Sequence, residues 1–350
     1  YMKNIVSVIN DLKGNGAERV VITLSESFVS LGHSATIVCF NDFIELPIND
    51  DVNVVYFNIN RWRWIPRAMR GKIVSFFLDR FVLKNSPAPD LILSNLLPID
   101  RIMCESKLNN VHLVVHNTIS DEYASEFNDD KKIKNHEVLG IYSKKPVTCV
   151  SQGVLDDFKE IFPAHKAFNQ IYNPINVDLI VQSASKFEAE YDNYIVHVGK
   201  FKREKRHDIL IRAYAASNTD KLLVLVGQGP LEQVYRALVA QLHLTHKVIF
   251  AGFHSNPYPL IKHADLLVLS SDFEGLGMVL LEALALHTPA ISSHCRSGPS
   301  EILPQGNLFP PGDVDSLAKM LSAPDYSIYA VDFPPQFCAL NIAERYLTIL

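Results

Sequence analysis

The 350-residue sequence has few cysteines, no marked excess of charge and no long apolar run. Its five cysteines are scattered, odd in number and never spaced C-x-x-C, which argues against a disulfide framework and a cysteine-rich zinc site. No apolar run approaches the roughly 18 residues of a membrane span, and no secretory leader pattern opens the sequence. We therefore expect a cytoplasmic protein with reduced thiols. The protein is expected either in the cytosol or as a peripheral protein on the inner face of the cytoplasmic membrane.

The net charge of −5 leaves no basic excess to neutralise a phosphate backbone, so nucleic acid is excluded as a general partner. Hydrophobic residues make up 48% of the chain and charged residues 20%, which is ordinary for a globular protein. A chain of 350 residues is long for one core and sufficient for two domains.

Two series of alternating strands and helices predict parallel, doubly wound α/β sheets. In the first, a strand at residues 5–9, a glycine-bearing loop at 10–19, a helix at 20–31 and a strand at 35–40 follow one another. The second begins with a strand at residues 194–198. Neither contains G-x-G-x-x-G, which weakens an interpretation as a nicotinamide-dependent enzyme.

Residues 264–301 carry the strongest functional pattern. An apolar strand at 266–269 is followed by a loop with Gly275 and Gly277 and by a helix at 278–286. The free amides and positive dipole of a helix start bind anions such as phosphate, whereas Glu274 and Glu282 are suited to accept hydrogen bonds from sugar hydroxyls. A nucleotide sugar combines both features. A plain strand–helix unit with two solvated acids remains the alternative.

Two further places are candidates for the same chemistry. The connection at residues 199–207 begins Gly-Lys and holds five cations, which predicts a diphosphate clamp, with plain solvated charge as the alternative. His116 follows a strand at 111–115, at the sheet edge where open α/β sheets bind ligands. A histidine that merely caps the strand is the other interpretation.

Residues 61–84 contain both tryptophans among several arginines and lysines. Cations beside aromatic side chains are typical of peripheral contact with an anionic membrane. The alternative is an ordinary amphipathic helix packed on the sheet, which is favoured because Pro66 and Gly71 are expected to interrupt any long surface helix here.

Five sequence motifs carry a resemblance to a known family. They are GNGAER at 14–19, VGKFKREKRHDILIRAY at 198–214, VGQGPL at 226–231, VIFAGF at 248–253 and EGLGMVLLEALALHTP at 274–289. In this order and spacing the sequence resembles the retaining GT-B glycosyltransferases of family 4. The resemblance implies two Rossmann-like domains facing across a cleft: an acceptor-binding domain at 1–176 and a nucleotide-sugar-binding domain at 177–335. A helix at 336–350 can cross back to the first domain.

The same resemblance assigns roles to individual residues. It implies that Glu274 contacts the donor sugar, Glu282 the ribose hydroxyls, and Lys200 and Lys205 the diphosphate, while His116 lies near the transferred sugar. The residues implied as catalytic are His116, Lys200, Lys205 and Glu274. Those implied to bind the donor are Gly16, Lys200, Lys205, Gly227, Phe253, Glu274, Gly275, Leu276, Gly277, Met278, Val279 and Glu282. Two positions depart from the family: Lys200 replaces an arginine, and Arg206 replaces a glycine, so a different turn is expected at Arg206.

The implied reaction moves a hexose-type sugar, with UDP as the commonest carrier, to a glycan or glycolipid of the lipopolysaccharide type, with retention of configuration. The departing diphosphate calls for cations and helix amides more than for a nucleophile. No cofactor is expected, because the nucleotide sugar is a substrate, and no metal, because Asp313 or Asp315 of the D-x-D sequence is predicted to cap a helix. A sugar-nucleotide-binding module without turnover is the alternative.

Overall fold

The computed structural model describes residues 1–14, 16–123 and 136–350. Two compact units divide the chain. The N-terminal unit comprises Tyr1–Ile175 and Gln336–Leu350, and the C-terminal unit comprises Asn176–Pro335.

Each unit is built on one parallel sheet whose strands are mostly apolar along their whole length. The strands are β1 (Asn4–Ile9), β2 (Ser34–Cys39), β3 (Asn53–Tyr56), β4 (Leu91–Asn95), β5 (Val111–Val115), β6 (Val147–Cys149), β7 (Phe168–Gln170), β8 (Tyr194–Val198), β9 (Leu222–Val226), β10 (Val248–Gly252), β11 (Leu266–Leu269), β12 (Ala290–Ser293) and β13 (Leu308–Phe309). In the described ranges the first sheet has the order β3-β2-β1-β4-β5-β6-β7 and the second β10-β9-β8-β11-β12-β13. Central strands such as β5 and β11 are buried at every position, as expected for a sheet covered on both faces.

Helices connect most of the successive strands in both units, whereas a loop alone joins β2 to β3. They are α1 (Gly16–Ser30), α2 (Arg67–Asn85), α3 (Leu97–Met103), α4 (Ile119–Glu122), α5 (His136–Tyr142), α6 (Gln152–Ile161), α7 (Val177–Ser183), α8 (His207–Ala216), α9 (Glu232–Gln241), α10 (Tyr258–Lys262), α11 (Met278–Ala285), α12 (Pro299–Ile302), α13 (Val314–Leu321) and α14 (Ala339–Leu347). The predicted architecture of two Rossmann-like α/β sheets is confirmed. None of the helices in the described ranges combines the length and hydropathy that crossing a bilayer requires.

Two helices differ from their predicted extents. Helix α1 begins at Gly16 rather than at residue 20, which places the acidic Glu18 in its first turn, where the helix dipole favours a carboxylate. Helix α2 continues through Gly71, so the expected interruption there is wrong. A Cβ at Gly71 would stand 3.3 Å from the carbonyl oxygen of Arg101, so the glycine permits close packing instead of ending the helix.

The C-terminal helix α14 belongs to the N-terminal unit. It packs on α1, where the rings of Phe28 and Tyr346 meet edge to face with their centroids 6.4 Å apart. Ile342 and Ala343 of α14 are fully buried in the same core. Contacts over more than 300 residues of sequence therefore place the last element of the chain beside the first helix.

Candidate active site

Three loops meet at the carboxyl edge of the C-terminal sheet, and their backbones are hydrogen-bonded to one another. The amide of Gly199, after β8, donates to the carbonyl of Val226 at 2.9 Å, and Phe201 donates to Gln228 at 3.1 Å. Gly227 has φ +146°, and a Cβ there would lie 2.1 Å from the carbonyl oxygen of Gly199. Only glycine fits this crossing, so Gly227 holds the loop after β9 against the lysine-bearing loop after β8.

Lys205 and Glu274 form an ion pair at the centre of these loops. The Lys205 ammonium lies 2.6 Å from Oε1 of Glu274, and the hydroxyl of Ser271 donates to the same oxygen at 2.6 Å. Glu274 is only 9% exposed. Two residues predicted separately to serve the donor are thus in direct contact, with a cation and a carboxylate held side by side.

Several further hydrogen bonds hold the two loops of this pair together. The hydroxyl of Ser270 donates to the carbonyl of Lys205 at 2.9 Å. The amide of Asp272 donates to the carbonyl of Glu204 at 2.8 Å. Behind the pair, the hydroxyl of Ser297 donates to the carbonyl of Glu274. These bonds fix the two loops relative to each other, and fixed polar groups are the preorganisation that electrostatic catalysis requires.

Arg206 takes the left-handed conformation that glycine favours, with φ 48° and ψ 47°. Its guanidinium contacts Asp208 at 3.0 Å and Asp272 at 2.9 Å, and these carboxylates raise the pKa of the arginine. This conformation is one that glycine also adopts, and the expectation of a turn different from that of the family stays a prediction. The two carboxylates compensate for a conformation that costs a side chain roughly 1 kcal/mol or more.

Helix α11 begins beside the ion pair. Gly277 caps it with φ +86°, and the following residues, Met278 and Val279, are half-buried, so their part of the first turn is accessible. The first amides of a helix have no partner within the helix and are available to an anion. Glu282 lies in the middle of α11 and is half-buried.

The segment between Glu274 and the helix is tightly packed. Gly275 and Leu276 are buried. Gly298 supports them with φ +85°, where a Cβ would stand 2.4 Å from the carbonyl oxygen of Leu276. The path of the loop into α11 therefore depends on this glycine from a later part of the chain.

Other predicted donor residues of this unit lie at the same sheet edge without joining the ion pair. Lys200 is exposed, and its ammonium has no ion-pair partner in the described part of the chain. Phe253, directly after β10, is 50% exposed. Both side chains are free to contact a ligand, whereas Lys205 is already engaged.

His116 and Gly16 lie in the N-terminal unit. Gly16 is exposed at the start of α1, and a Cβ there would meet no atom within 4 Å; its neighbour Asn15 lies outside the described residues. His116 follows β5, and its Nε2 lies 2.9 Å from Oδ1 of Asn95. Desolvation lowers the pKa of His116 to about 4, so the ring is neutral near pH 7.

The sequence reasoning did not find several residues that shape this site. Ser271 is the second residue after β11, and Asn95 is the last residue of β4, so a search for polar residues at strand ends would have found both. The Arg206–Asp272 contact joins residues 66 positions apart, so no pattern of neighbouring residues in the sequence predicts it. The D-x-D sequence behaves as predicted: Asp313 caps α13 by accepting a hydrogen bond from the Ser316 amide at 2.9 Å.

Comparisons with known protein families agree with this geometry. Residues 14–179 match the family model described as Glycosyltransferase Family 4. Residues 178–323 match the model described as Glycosyl transferases group 1. Along the sequence, the boundary between the two matches at residues 178–179 lies close to the boundary between the two units at Ile175 and Asn176.

Among curated proteins, the chain is similar to an N-acetylgalactosaminyltransferase of Campylobacter jejuni named for an N-acetylgalactosamine-N,N'-diacetylbacillosaminyl-diphospho-undecaprenol substrate. The two are 27% identical over 305 residues, covering 86% of this chain and 83% of the relative. This chain is also 27% identical to the lipopolysaccharide 1,6-galactosyltransferase of Escherichia coli, over 50% of this chain and 53% of that protein.

Solved structures share the fold. HepE from Anabaena in complex with UDP and glucose superposes with a TM-score of 0.73 at 19% identity, covering 99% of this chain and 95% of that chain. WaaG, a glycosyltransferase involved in lipopolysaccharide biosynthesis, superposes with a TM-score of 0.66 at 15% identity, with 99% and 95% covered.

Proposed function

Because the chain belongs to the GT-B glycosyltransferases of the two families that it matches, we propose that it transfers a hexose-type sugar from a UDP-linked donor to a lipid-linked surface glycan, with retention of anomeric configuration. The complex of the similar Anabaena protein with UDP and glucose supports UDP as the carrier. The names of the Campylobacter and Escherichia relatives support an acceptor of the undecaprenol-diphosphate or lipopolysaccharide kind.

The observation that carries this proposal is the Lys205–Glu274 pair beside the start of α11. Transfer breaks the bond between the anomeric carbon and the diphosphate, so negative charge grows on the diphosphate as an oxocarbenium-like centre forms. The Lys205 ammonium, together with Lys200 and the first amides of α11, matches that charge. Glu274 accepts hydrogen bonds from sugar hydroxyls, and Glu282 from the ribose. These groups supply the compensating charge, so we propose that transfer needs no metal ion.

A donor screen tests the proposal. Purified protein is incubated with UDP-glucose, UDP-galactose and their N-acetyl derivatives, with and without lipid-linked acceptor, and UDP release and thermal stabilisation are measured. We expect at least one donor to be consumed, equally with and without EDTA, and Glu274→Ala to abolish turnover. Stabilisation without any UDP release would instead identify a binding module. If no donor is consumed and no donor stabilises the protein, the donor assignment is refuted. The anomeric proton coupling of the product in NMR tests retention.

A membrane-bound acceptor fits a surface feature of the N-terminal unit, which we call the aromatic–basic segment (residues 61–84). The indole of Trp62 stacks on Phe77 at 4.3 Å, and the Arg80 guanidinium lies 5.6 Å from the centre of the Phe76 ring. Trp64 is 78% exposed and Phe76 54%. Exposed aromatic rings beside cations are suited to the interface of an anionic bilayer. We therefore include peripheral membrane contact through this segment in the proposal.

Vesicle co-sedimentation tests that contact. We expect binding to anionic but not to neutral vesicles, weakening as salt increases. The double variant Trp64→Ala, Phe76→Ala should bind at least about tenfold less, because each buried aromatic ring contributes on the order of 1.5 kcal/mol or more. Val234→Ala, which shortens an exposed apolar side chain on α9, is the matched control. Equal binding by the double variant and the control would exclude this segment as the contact.

A further inference from the structure

The side chain of Asn95 has its orientation set by the backbone of its own sheet. Asn95 ends β4 and is 3% exposed. Its amide nitrogen Nδ2 donates to the carbonyl oxygen of Leu93 at 3.2 Å and to that of Val8, in the neighbouring strand β1, at 3.3 Å. Both carbonyls can only accept hydrogen bonds, so the NH₂ group must face them. The amide oxygen is thereby directed away from β1.

This oxygen meets the imidazole of His116, which follows the strand on the other side of β4. Oδ1 of Asn95 lies 2.9 Å from Nε2 of His116. An amide oxygen only accepts, so Nε2 must carry a proton. Desolvation lowers the pKa of the ring to about 4, so near pH 7 it holds one proton, which lies on Nε2. Nδ1 is then an acceptor, and no described residue donates a hydrogen bond to it.

We propose that Asn95 is a positioning residue that holds His116 in the Nε2-protonated tautomer, so that Nδ1 accepts a hydrogen bond from a hydroxyl of the sugar being transferred. The part concerning the sugar rests on the proposed function. The tautomer itself rests on the contacts of Asn95 alone. His116 then orients the substrate through a hydrogen bond and takes no proton from it, because a ring this weakly basic stays neutral at the working pH.

Nitrogen NMR of the histidine rings tests the tautomer directly, in the full chain and without substrate. The spectrum of His116→Gln identifies the signal among the 13 histidines. We expect Nε2 protonated at pH 7 in the unmodified protein, and a mixed or reversed tautomer in Asn95→Ala, which offers the ring no acceptor. Should Asn95→Ala not fold, Asn95→Ser, whose hydroxyl is too short to reach the ring, replaces it. An Nδ1-protonated ring in the unmodified protein, or no change in Asn95→Ala or Asn95→Ser, overturns the proposal.

Kinetics test the consequence for transfer. We expect Asn95→Ala to lower kcat/KM by about tenfold or more. Losses of this size are seen when a residue that orients a functional histidine through a hydrogen bond is removed, as in metal sites. Asn53→Ala is the matched control, because Asn53 lies on β3, where its side-chain amide donates a hydrogen bond to the hydroxyl of Thr36 at 3.4 Å. A changed tautomer with an unchanged rate would refute the positioning role. Absence of transfer in the unmodified protein would refute the proposed function and leave the NMR result standing.

Discussion

Replacing Glu274 by glutamine separates donor binding from sugar transfer. The Lys205 ammonium is 2.6 Å from the Glu274 carboxylate. A diphosphate that binds Lys205 must either share this cation with Glu274 or take it from the carboxylate. In both cases the negative charge of Glu274 opposes the negative charge of the ligand. Glu274→Gln removes that charge, so we expect UDP to bind more tightly while transfer is lost.

The size of the effect follows from the contact that is weakened. A hydrogen bond to a charged group contributes about 1.5–3 kcal/mol. Glutamine can still accept one from the Lys205 ammonium, so Glu274→Gln removes only the part due to the carboxylate charge, roughly 1–2 kcal/mol. The paired side chains are 24% and 11% exposed, so solvent screens the pair only in part. A difference of about 1–2 kcal/mol corresponds to roughly a 5- to 30-fold lower Kd for UDP.

Isothermal titration of UDP measures the affinity, and donor consumption measures the transfer. Lys205→Ala should weaken UDP binding, opposite to Glu274→Gln. Glu232→Gln is the matched control, because Glu232 pairs with Arg236 on the exposed surface of α9 at 2.8 Å. Unchanged or weaker UDP binding in Glu274→Gln would show that Lys205 does not hold the diphosphate, and the mechanism proposed above would fail.

Three further changes test packing and buried charge. Gly298→Ala places a Cβ 2.4 Å from the carbonyl oxygen of Leu276 at φ +85°, so we expect a loss of about 2 kcal/mol or more, seen as a lower Tm, together with weaker UDP binding. His207 is fully buried, and burial lowers its pKa in the folded protein. Below about pH 6.5 only the unfolded chain therefore takes up a proton at this residue, so the free energy of unfolding decreases as the pH decreases, by about 2 kcal/mol at pH 5. In His207→Phe the difference in Tm between pH 7.5 and pH 5 should shrink, and an undiminished difference would contradict this. Burial raises the pKa of Asp100 in the folded protein to about 8, whereas in the unfolded chain this carboxyl ionises near pH 4. The free energy of unfolding therefore decreases as the pH rises from about 4 towards 8. Asp100→Asn should flatten the urea-unfolding free energy between pH 6.5 and 8.5, and an unchanged slope would contradict it.

The sequence alone determined the parallel α/β architecture and the local course of the strand and helix around Glu274. The strand predicted at residues 266–269 is β11, and the helix predicted from residue 278 begins at Met278. Both follow from short-range patterns: an apolar run marks a strand buried on two faces, and strong helix formers after a glycine mark a helix start. A family motif singled out Lys205, and the position after the strand predicted at residues 111–115 singled out His116, by the same kind of local reading.

Only the tertiary structure decided which of these residues meet. The Lys205–Glu274 contact joins residues 69 positions apart, and the order of strands β1, β4 and β5 brings Asn95 to His116. Arg206 adopts a glycine-like turn because Asp272 comes from another loop to hold it. Local propensity reflects a few neighbouring residues, whereas such contacts depend on how strands distant in sequence are ordered in the sheet, and a linear pattern does not record that order.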